Sequence, residues 1–178
     1  MSIEEDDFLA YQLYVASTSE RIKKNRRKSR TIIPLLYLAF SILLFFMDDR
    51  TTMGIVFFSI AVIWYLGYPY YTAWKYKRHY HAFIREHYQR RFGEKAVLMF
   101  ESGRIYSQDA ASEGWVNVTE LDEIVEISSH LFLKLKSGMG FILPKQRIKE
   151  QEVLIPYLRK LTNRLQIPYH QELGWKWA

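Results

Sequence analysis

Two long stretches without a charged residue, separated by a short polar connection, constrain this chain more than any other feature. Residues 31–47 read TIIPLLYLAFSILLFFM, and residues 53–74 read MGIVFFSIAVIWYLGYPYYTAW. A bilayer core about 30 Å thick needs about 20 apolar helical residues, and hydrocarbon offers no water to a backbone that is not helical. The sequence therefore predicts two transmembrane helices in an antiparallel hairpin over residues 31–74. The alternative, a buried helical hairpin in a soluble protein, is disfavoured by the length and the flanks of the two stretches.

The net charge of +6 is unevenly distributed along the 178 residues. Residues 21–30 contain seven basic residues and no acid, and residues 75–92 contain six basic residues and one acid, whereas residues 93–178 contain equal numbers of both. Because basic residues accumulate on the cytoplasmic side of membrane spans, both termini are expected in the cytoplasm and the 48–52 loop outside. A nucleic-acid-binding domain would carry a basic face of its own, so nucleic acid is not expected as a partner.

The basic segments and the neighbouring aromatic residues are candidate contacts for lipid headgroups. Tyr and Trp prefer the headgroup layer, and eight of them fall within residues 64–80. Each basic residue near an anionic surface contributes about 1 kcal/mol. The predicted headgroup contacts are Lys23, Lys24, Arg26, Arg27, Lys28, Arg30, Trp74, Lys75, Lys77 and Arg78. The same charges also set topology, so recognition of a specific lipid does not follow from them.

The segments on either side of the hairpin are predicted to be helical. Residues 1–30 combine an amphipathic helix, whose start fits a capping box at Ser2, with the first basic segment. This helix is acidic, so it is expected to pack on the cytoplasmic domain or on a partner rather than on lipid. Residues 75–92 continue the second span as a juxtamembrane helix. Pro34 is expected in the first turn of the first span, where its missing N–H is harmless.

The C-terminal part changes to a pattern typical of strands. Six short segments are predicted as strands, at 96–101, 104–108, 115–119, 123–128, 131–136 and 141–143, and the alternation is nearly strict in 131–136. Four leucines at helical spacing then predict a helix (Leu154, Leu158, Leu161 and Leu165). Residues 93–165 are therefore expected to form an antiparallel sheet of about six strands, capped by a C-terminal helix. The tail, 166–178, has no clear period. The whole chain is predicted to be an α+β membrane protein.

The chain carries no pattern that predicts catalysis. It has no cysteine, no nucleophile-elbow or triad context, and no glycine-rich loop between a strand and a helix. His79, His81 and His87 invite a metal site, but residues two apart on a helix do not share a face. We therefore expect neither an enzyme nor a bound cofactor or metal.

Several segments, taken in order, resemble the bacterial YcxB-like membrane proteins. They are SIEEDDFLAYQLYVASTSERIKK, the two adjacent spans, and a meander that holds GWVNVTELDEIVEI and FILPKQRI. Trp115 and the pair Pro144 and Lys145 look like the most recognisable positions of that family. The resemblance implies a pleckstrin-homology-like (PH-like) C-terminal domain in a protein of the bacterial cytoplasmic (inner) membrane. The family carries no established catalytic activity.

The predicted function is that of a non-catalytic inner-membrane protein whose PH-like domain binds a protein or peptide partner, or a second copy of the chain. The binding surface is expected at the edge strand near 141–143 or beside the C-terminal helix. Candidate contacts are Trp115, Phe141, Leu143, Pro144 and Lys145, although Trp115 and Lys145 could instead have structural roles. One alternative is a membrane-resident immunity or stress protein that acts against a membrane-acting toxin. A second alternative is a sensor of anionic lipid headgroups.

Overall fold

The structure is a computed structural model that describes residues 1–47, 49–89, 92–109 and 112–177. Within these residues the chain has a mixed α+β fold. The helices are α1 (Glu5–Thr18), α2 (Glu20–Phe45), α3 (Thr51–Tyr88) and α4 (Gln151–Leu165). Asp48 of the predicted loop and Arg90 and Arg91 of the predicted juxtamembrane segment lie outside the described residues.

The described strands are seven in number, and the chain divides into two compact units. The strands are β1 (Val97–Glu101), β2 (Arg104–Gln108), β3 (Glu113–Asn117), β4 (Leu121–Ile127), β5 (His130–Leu135), β6 (Gly140–Pro144) and β7 (Tyr169–Glu172). Residues Met1–Gln12 and His81–Lys176 form one unit, here called the sheet unit. Leu13–Tyr80 and Trp177 form the other, the hairpin unit.

The strands form two sheets rather than the single antiparallel sheet that the sequence predicted. One sheet is an antiparallel meander of order β1-β2-β3, and the other has the order β6-β5-β4-β7. The division falls at a 3-10 turn over Val118–Glu120, which separates β3 from β4. β7 lies in the tail and pairs in parallel with β4, so the larger sheet is mixed.

The central strands β4 and β5 are buried on both faces. On one face Ile124, Leu131 and Leu133 belong to a core that includes Leu158 and Leu161 of α4. These two leucines belong to the helical repeat recognised in the sequence, so the repeat marks the face of α4 that packs on the sheet. The burial of this face by a helix stabilises the sheet unit through removal of apolar surface from water.

The first turns of α1 belong to the opposite face of the same sheet. Phe132 of β5 is fully buried, and its ring centroid lies 5.3 Å from that of Tyr11. Ser2 does not cap α1, because α1 begins at Glu5, and Ser2 instead forms an antiparallel bridge with Lys95. The side chain of Asp7 instead accepts a 2.6 Å hydrogen bond from the backbone N–H of Glu4.

In the hairpin unit, α2 begins well before the first apolar stretch. Ser19 is its N-cap residue and accepts a hydrogen bond from the N–H of Ile22 at 3.5 Å. Arg and Lys favour helix, so the basic residues 21–30 and the apolar stretch share one helix. Pro34 consequently lies in the interior of α2 and not in its first turn, as the sequence had suggested. Such a proline removes one backbone hydrogen bond, which membrane helices tolerate.

The helices α2 and α3 are long enough and apolar enough to cross a membrane, by length and composition. They contact each other through Ser41, whose hydroxyl donates to the carbonyl of Gly54 at 2.8 Å, and through the rings of Tyr37 and Phe57. Only 11 % of the most apolar 18-residue stretch of each helix is buried. Large apolar side chains therefore remain exposed along both helices.

A close backbone approach at the start of β6 gives a test of the sheet packing. A Cβ atom on Gly140 would lie 2.9 Å from the carbonyl oxygen of Leu133. Gly140→Ala should therefore lower the free energy of unfolding by about 1–3 kcal/mol, measured by urea unfolding of the purified full chain. Gly114→Ala is the control, because nothing lies within 4 Å of the Cβ built there. Equal losses in the two variants would contradict the close approach.

Candidate functional site

The edge of the larger sheet carries a concave apolar site. Its order, β6-β5-β4-β7, gives β6 only one neighbour among the described strands. A cavity of about 330 Å³, here called the β6 groove, lies beside this strand. Its apolar lining includes Val97, Leu98, Met139, Phe141 and Ile142. A cavity of this size can enclose a small ligand or protruding side chains, and an edge strand can accept an added peptide strand.

The five predicted partner contacts do not form one surface. Phe141 lines the β6 groove. Trp115 is 51 % exposed, but its ring packs against Tyr106 at 4.9 Å on the outward face of the smaller sheet, away from the groove. Leu143, Pro144 and Lys145 are buried. A partner can therefore reach Phe141 and Trp115 but not the other three while this fold is maintained.

Lys145 is buried because it neutralises a carboxylate inside the sheet unit. Glu126 accepts hydrogen bonds from Lys145 Nζ at 2.8 Å, from Arg159 at 3.0 Å and from the Tyr169 hydroxyl at 2.7 Å. Burial acts to raise the pKa of Glu126, but these hydrogen bonds outweigh it and hold the pKa below its usual value. Burial and the bond to Glu126 raise the pKa of Tyr169 to about 12. This cluster joins β4, β7 and α4.

A second buried carboxylate, Asp7, links α1 to the larger sheet. Its Oδ1 lies 3.0 Å from His130 Nε2, and its Oδ2 accepts a hydrogen bond from Arg147. Burial acts to raise the pKa of Asp7, but the bonds from His130, from the Glu4 N–H and from Arg147 lower it below its usual value. This pairing was not predicted, because Asp7 and His130 are 123 residues apart in the sequence and leave no periodic signal.

Ser129, His130 and Asp7 are joined in series as in a hydrolase triad, but through the opposite ring nitrogens, since Ser129 Oγ lies 2.7 Å from His130 Nδ1 and Asp7 contacts Nε2. A working triad also needs a substrate cavity beside the nucleophile and donors for an oxyanion. Ser129 does not line the β6 groove, and Arg147 neutralises Asp7. The contact between His130 and Asp7 links β5 to α1. Within the described part of the chain, no three acidic or histidine side chains come together in a way that could hold a metal.

Most of the predicted headgroup contacts on α2 line a second concave site, within the hairpin unit. This basic groove has a volume of about 880 Å³ between α2 and α3. It is lined by Glu20, Arg21, Lys23, Lys24, Arg26, Arg27, Arg30, Tyr68, Pro69 and Thr72. Lys28 is exposed and is not part of this lining.

The predicted headgroup contacts on α3 are exposed along its surface. Trp74 is covered by the guanidinium group of Arg78 at 5.4 Å, and the ammonium group of Lys75 lies 5.9 Å from the ring of Tyr71. Lys77 is also exposed. Cation–π contacts of this kind hold a basic group beside an amphipathic ring.

These features define a mixed α+β protein with two helices long enough and apolar enough to cross a membrane. Comparison with protein-family models, with curated proteins and with solved structures finds no match to this chain. The resemblance to YcxB-like proteins and to PH-like modules therefore stays a prediction.

The lowered pKa of Asp7 predicts a specific pH dependence. The ionised carboxylate stabilises the fold above its ordinary pKa of 3.8, and this contribution is lost as the pH falls through the lower pKa of the folded state. Asp7→Asn should therefore reduce the loss of Tm between about pH 5 and pH 2, measured by thermal unfolding of the purified full chain.

Asp6→Asn is the control for this measurement. Asp6 is the exposed neighbour of Asp7, and it has no ion pair among the described residues. The control should keep the acid dependence of the unmodified chain. Identical profiles for Asp7→Asn and the unmodified chain would show that the Asp7 cluster does not stabilise the fold.

Proposed function

We propose that this chain is a non-catalytic, multi-pass protein of the bacterial cytoplasmic membrane, and that its sheet unit binds a protein or peptide partner in the β6 groove. The observation that carries the proposal is an apolar cavity beside an edge strand. The proposal retains the YcxB-like and PH-like character suggested by the sequence.

The exposed apolar surface of α2 and α3 supports membrane insertion. A helix in the core of a soluble protein is mostly buried, whereas only 11 % of the most apolar 18-residue stretch of each helix is buried here. Soluble proteins rarely expose contiguous apolar patches larger than a few hundred Å², and hydrocarbon is the solvent that removes this cost. The basic flanks favour cytoplasmic termini, with the connection between α2 and α3 outside.

The absence of cysteine from the sequence allows a clean test of this topology. Asp49→Cys places a thiol between α2 and α3, and Ser137→Cys places one in the exposed turn before β6. A membrane-impermeant maleimide should label the first variant in intact bacterial cells and the second only after lysis. The reverse pattern, or recovery of both variants in the soluble fraction, would refute the proposed insertion.

The β6 groove narrows the predicted partner surface. An extended peptide that pairs with β6 would gain backbone hydrogen bonds and could place an apolar side chain against Val97, Phe141 and Ile142. Phe141 therefore belongs to the proposed partner surface, whereas Lys145 does not, because it is buried. A short apolar peptide segment is the partner chemistry that this lining favours.

Photocrosslinking in native membranes tests the partner site on the full chain. Met139, in the groove lining, and Val153, on α4, are both 66 % exposed, so a photoreactive residue at each position is equally accessible. A defined adduct is expected from position 139 and not from position 153. Val97→Asp should lower the yield from position 139 about tenfold, the equivalent of about 1.4 kcal/mol.

A matched substitution controls for the introduced charge. Val153→Asp adds the same carboxylate on exposed α4, outside the groove, and should leave the adduct unchanged. Equal adducts from positions 139 and 153, or none from position 139, would refute the proposed partner site. No contact within the described residues favours the immunity or stress alternative, whereas the basic groove favours a headgroup-binding role for the hairpin unit.

A further inference from the structure

The basic groove combines a concave shape with an unbalanced charge. Six of its lining residues are cationic: Arg21, Lys23, Lys24, Arg26, Arg27 and Arg30. Glu20 is the one carboxylate in the lining, and it pairs with Lys23 at 3.0 Å. Among the described residues, no carboxylate lies within ion-pair distance of Arg21, Lys24 or Arg27. A concave surface lined by one sign of charge concentrates ions of the opposite sign.

Two of the guanidinium groups are held in place by contacts with α3. Arg26 donates to the hydroxyl of Thr72 at 3.4 Å, and Arg30 lies 4.7 Å from the ring centroid of Tyr65. Planar guanidinium groups present paired N–H donors that match the oxygens of a phosphate. The groove therefore has the chemistry of a phosphate site rather than that of a diffuse charged surface.

The surface next to the groove is apolar, so a ligand bound there would contact basic side chains with one part and apolar side chains with another. Leu35 on α2 and Val62 on α3 are exposed, and helical spacing places them on the same faces as the groove residues Lys24 and Pro69. The part of α2 from Arg30 to its end is about 22 Å long, at 1.5 Å per residue. This length is less than the thickness of the bilayer core, about 30 Å. Its long side chain can extend to the phosphate layer while its stem stays in apolar surroundings.

We propose that the basic groove binds the phosphate of an anionic phospholipid, whose acyl chains lie along the adjoining exposed apolar side chains of α2 and α3. The inference rests on the proposed membrane insertion. It assigns a defined site to charges for which the sequence predicted only a general interaction with headgroups.

The test measures the binding of phosphatidylglycerol to the full chain in micelles of a neutral detergent, by native mass spectrometry across a lipid titration. Lys24→Gln combined with Arg27→Gln removes two cations from the groove. The apparent Kd of this variant should rise about tenfold or more, because each basic residue near an anionic headgroup strengthens its binding severalfold.

The control variant combines Lys160→Gln with Arg164→Gln. It removes the same two charges from exposed positions on α4, outside the groove lining, and its Kd should change by no more than about threefold. Equal weakening in the two variants would overturn the proposal, because it would mean that only total charge matters. Equal binding of zwitterionic phosphatidylcholine would overturn it as well.

A soluble anion is the other source of the same chemistry. Glycerol phosphate, titrated under the same conditions, should bind far more weakly than phosphatidylglycerol, because it lacks acyl chains. Equal affinity for the two would overturn the lipid assignment and indicate a site for a soluble phosphate compound. A failure of membrane insertion would be distinguished from a failure of lipid binding, because it would change the maleimide labelling of Asp49→Cys and Ser137→Cys.

Discussion

Burial of the central strands on both faces is the constraint on which the sheet unit depends. Leu131 and Leu133 of β5 face the core that contains α4, whereas His130 and Phe132 face the contacts with α1. A sheet buried on both faces must receive a cover on each side from elsewhere in the chain. Here the two covering helices, α1 and α4, come from the N-terminal and C-terminal parts of the sequence. The sheet unit is therefore fully folded only when both helices pack on β4 and β5.

Each of these covers is joined to the strands by a buried, hydrogen-bonded carboxylate. Apolar packing tolerates small shifts, whereas a carboxylate with several donors requires each of them at a fixed position. Removing one partner of such a group leaves an uncompensated buried charge, which costs about 3–5 kcal/mol. We infer that Asp7 and Glu126 contribute more to the alignment of α1 and α4 than to net stability, because desolvation of the charges offsets much of the gain from pairing.

Local patterns predicted the elements whose apolar residues recur at a regular spacing, and they failed where pairing was non-local. The alternation of residues 131–136 predicted β5, and the leucine repeat predicted α4. β7 was missed because its residues, YHQE, are polar and become a strand only by pairing with β4. Phe141 was placed correctly near a sheet edge, whereas the burial of Lys145 depends on Glu126, which lies on a strand that is not adjacent to β6.

The basic segment of α2 has a cost within the helix itself. Pairs of like charge at i and i+4, such as Lys23 with Arg27 and Arg26 with Arg30, lie on one face of α2 and each destabilise a helix by about 0.2–0.5 kcal/mol. Ser19 at the N-cap and the adjoining apolar stretch offset this repulsion in part. Salt largely screens charges that are more than about 10 Å apart. An anionic layer within that distance would make the net electrostatic contribution of these basic residues favourable. The basic charges of α2 thus favour helix most where phosphate is present, which would couple the folding of α2 to the surface that it is proposed to contact.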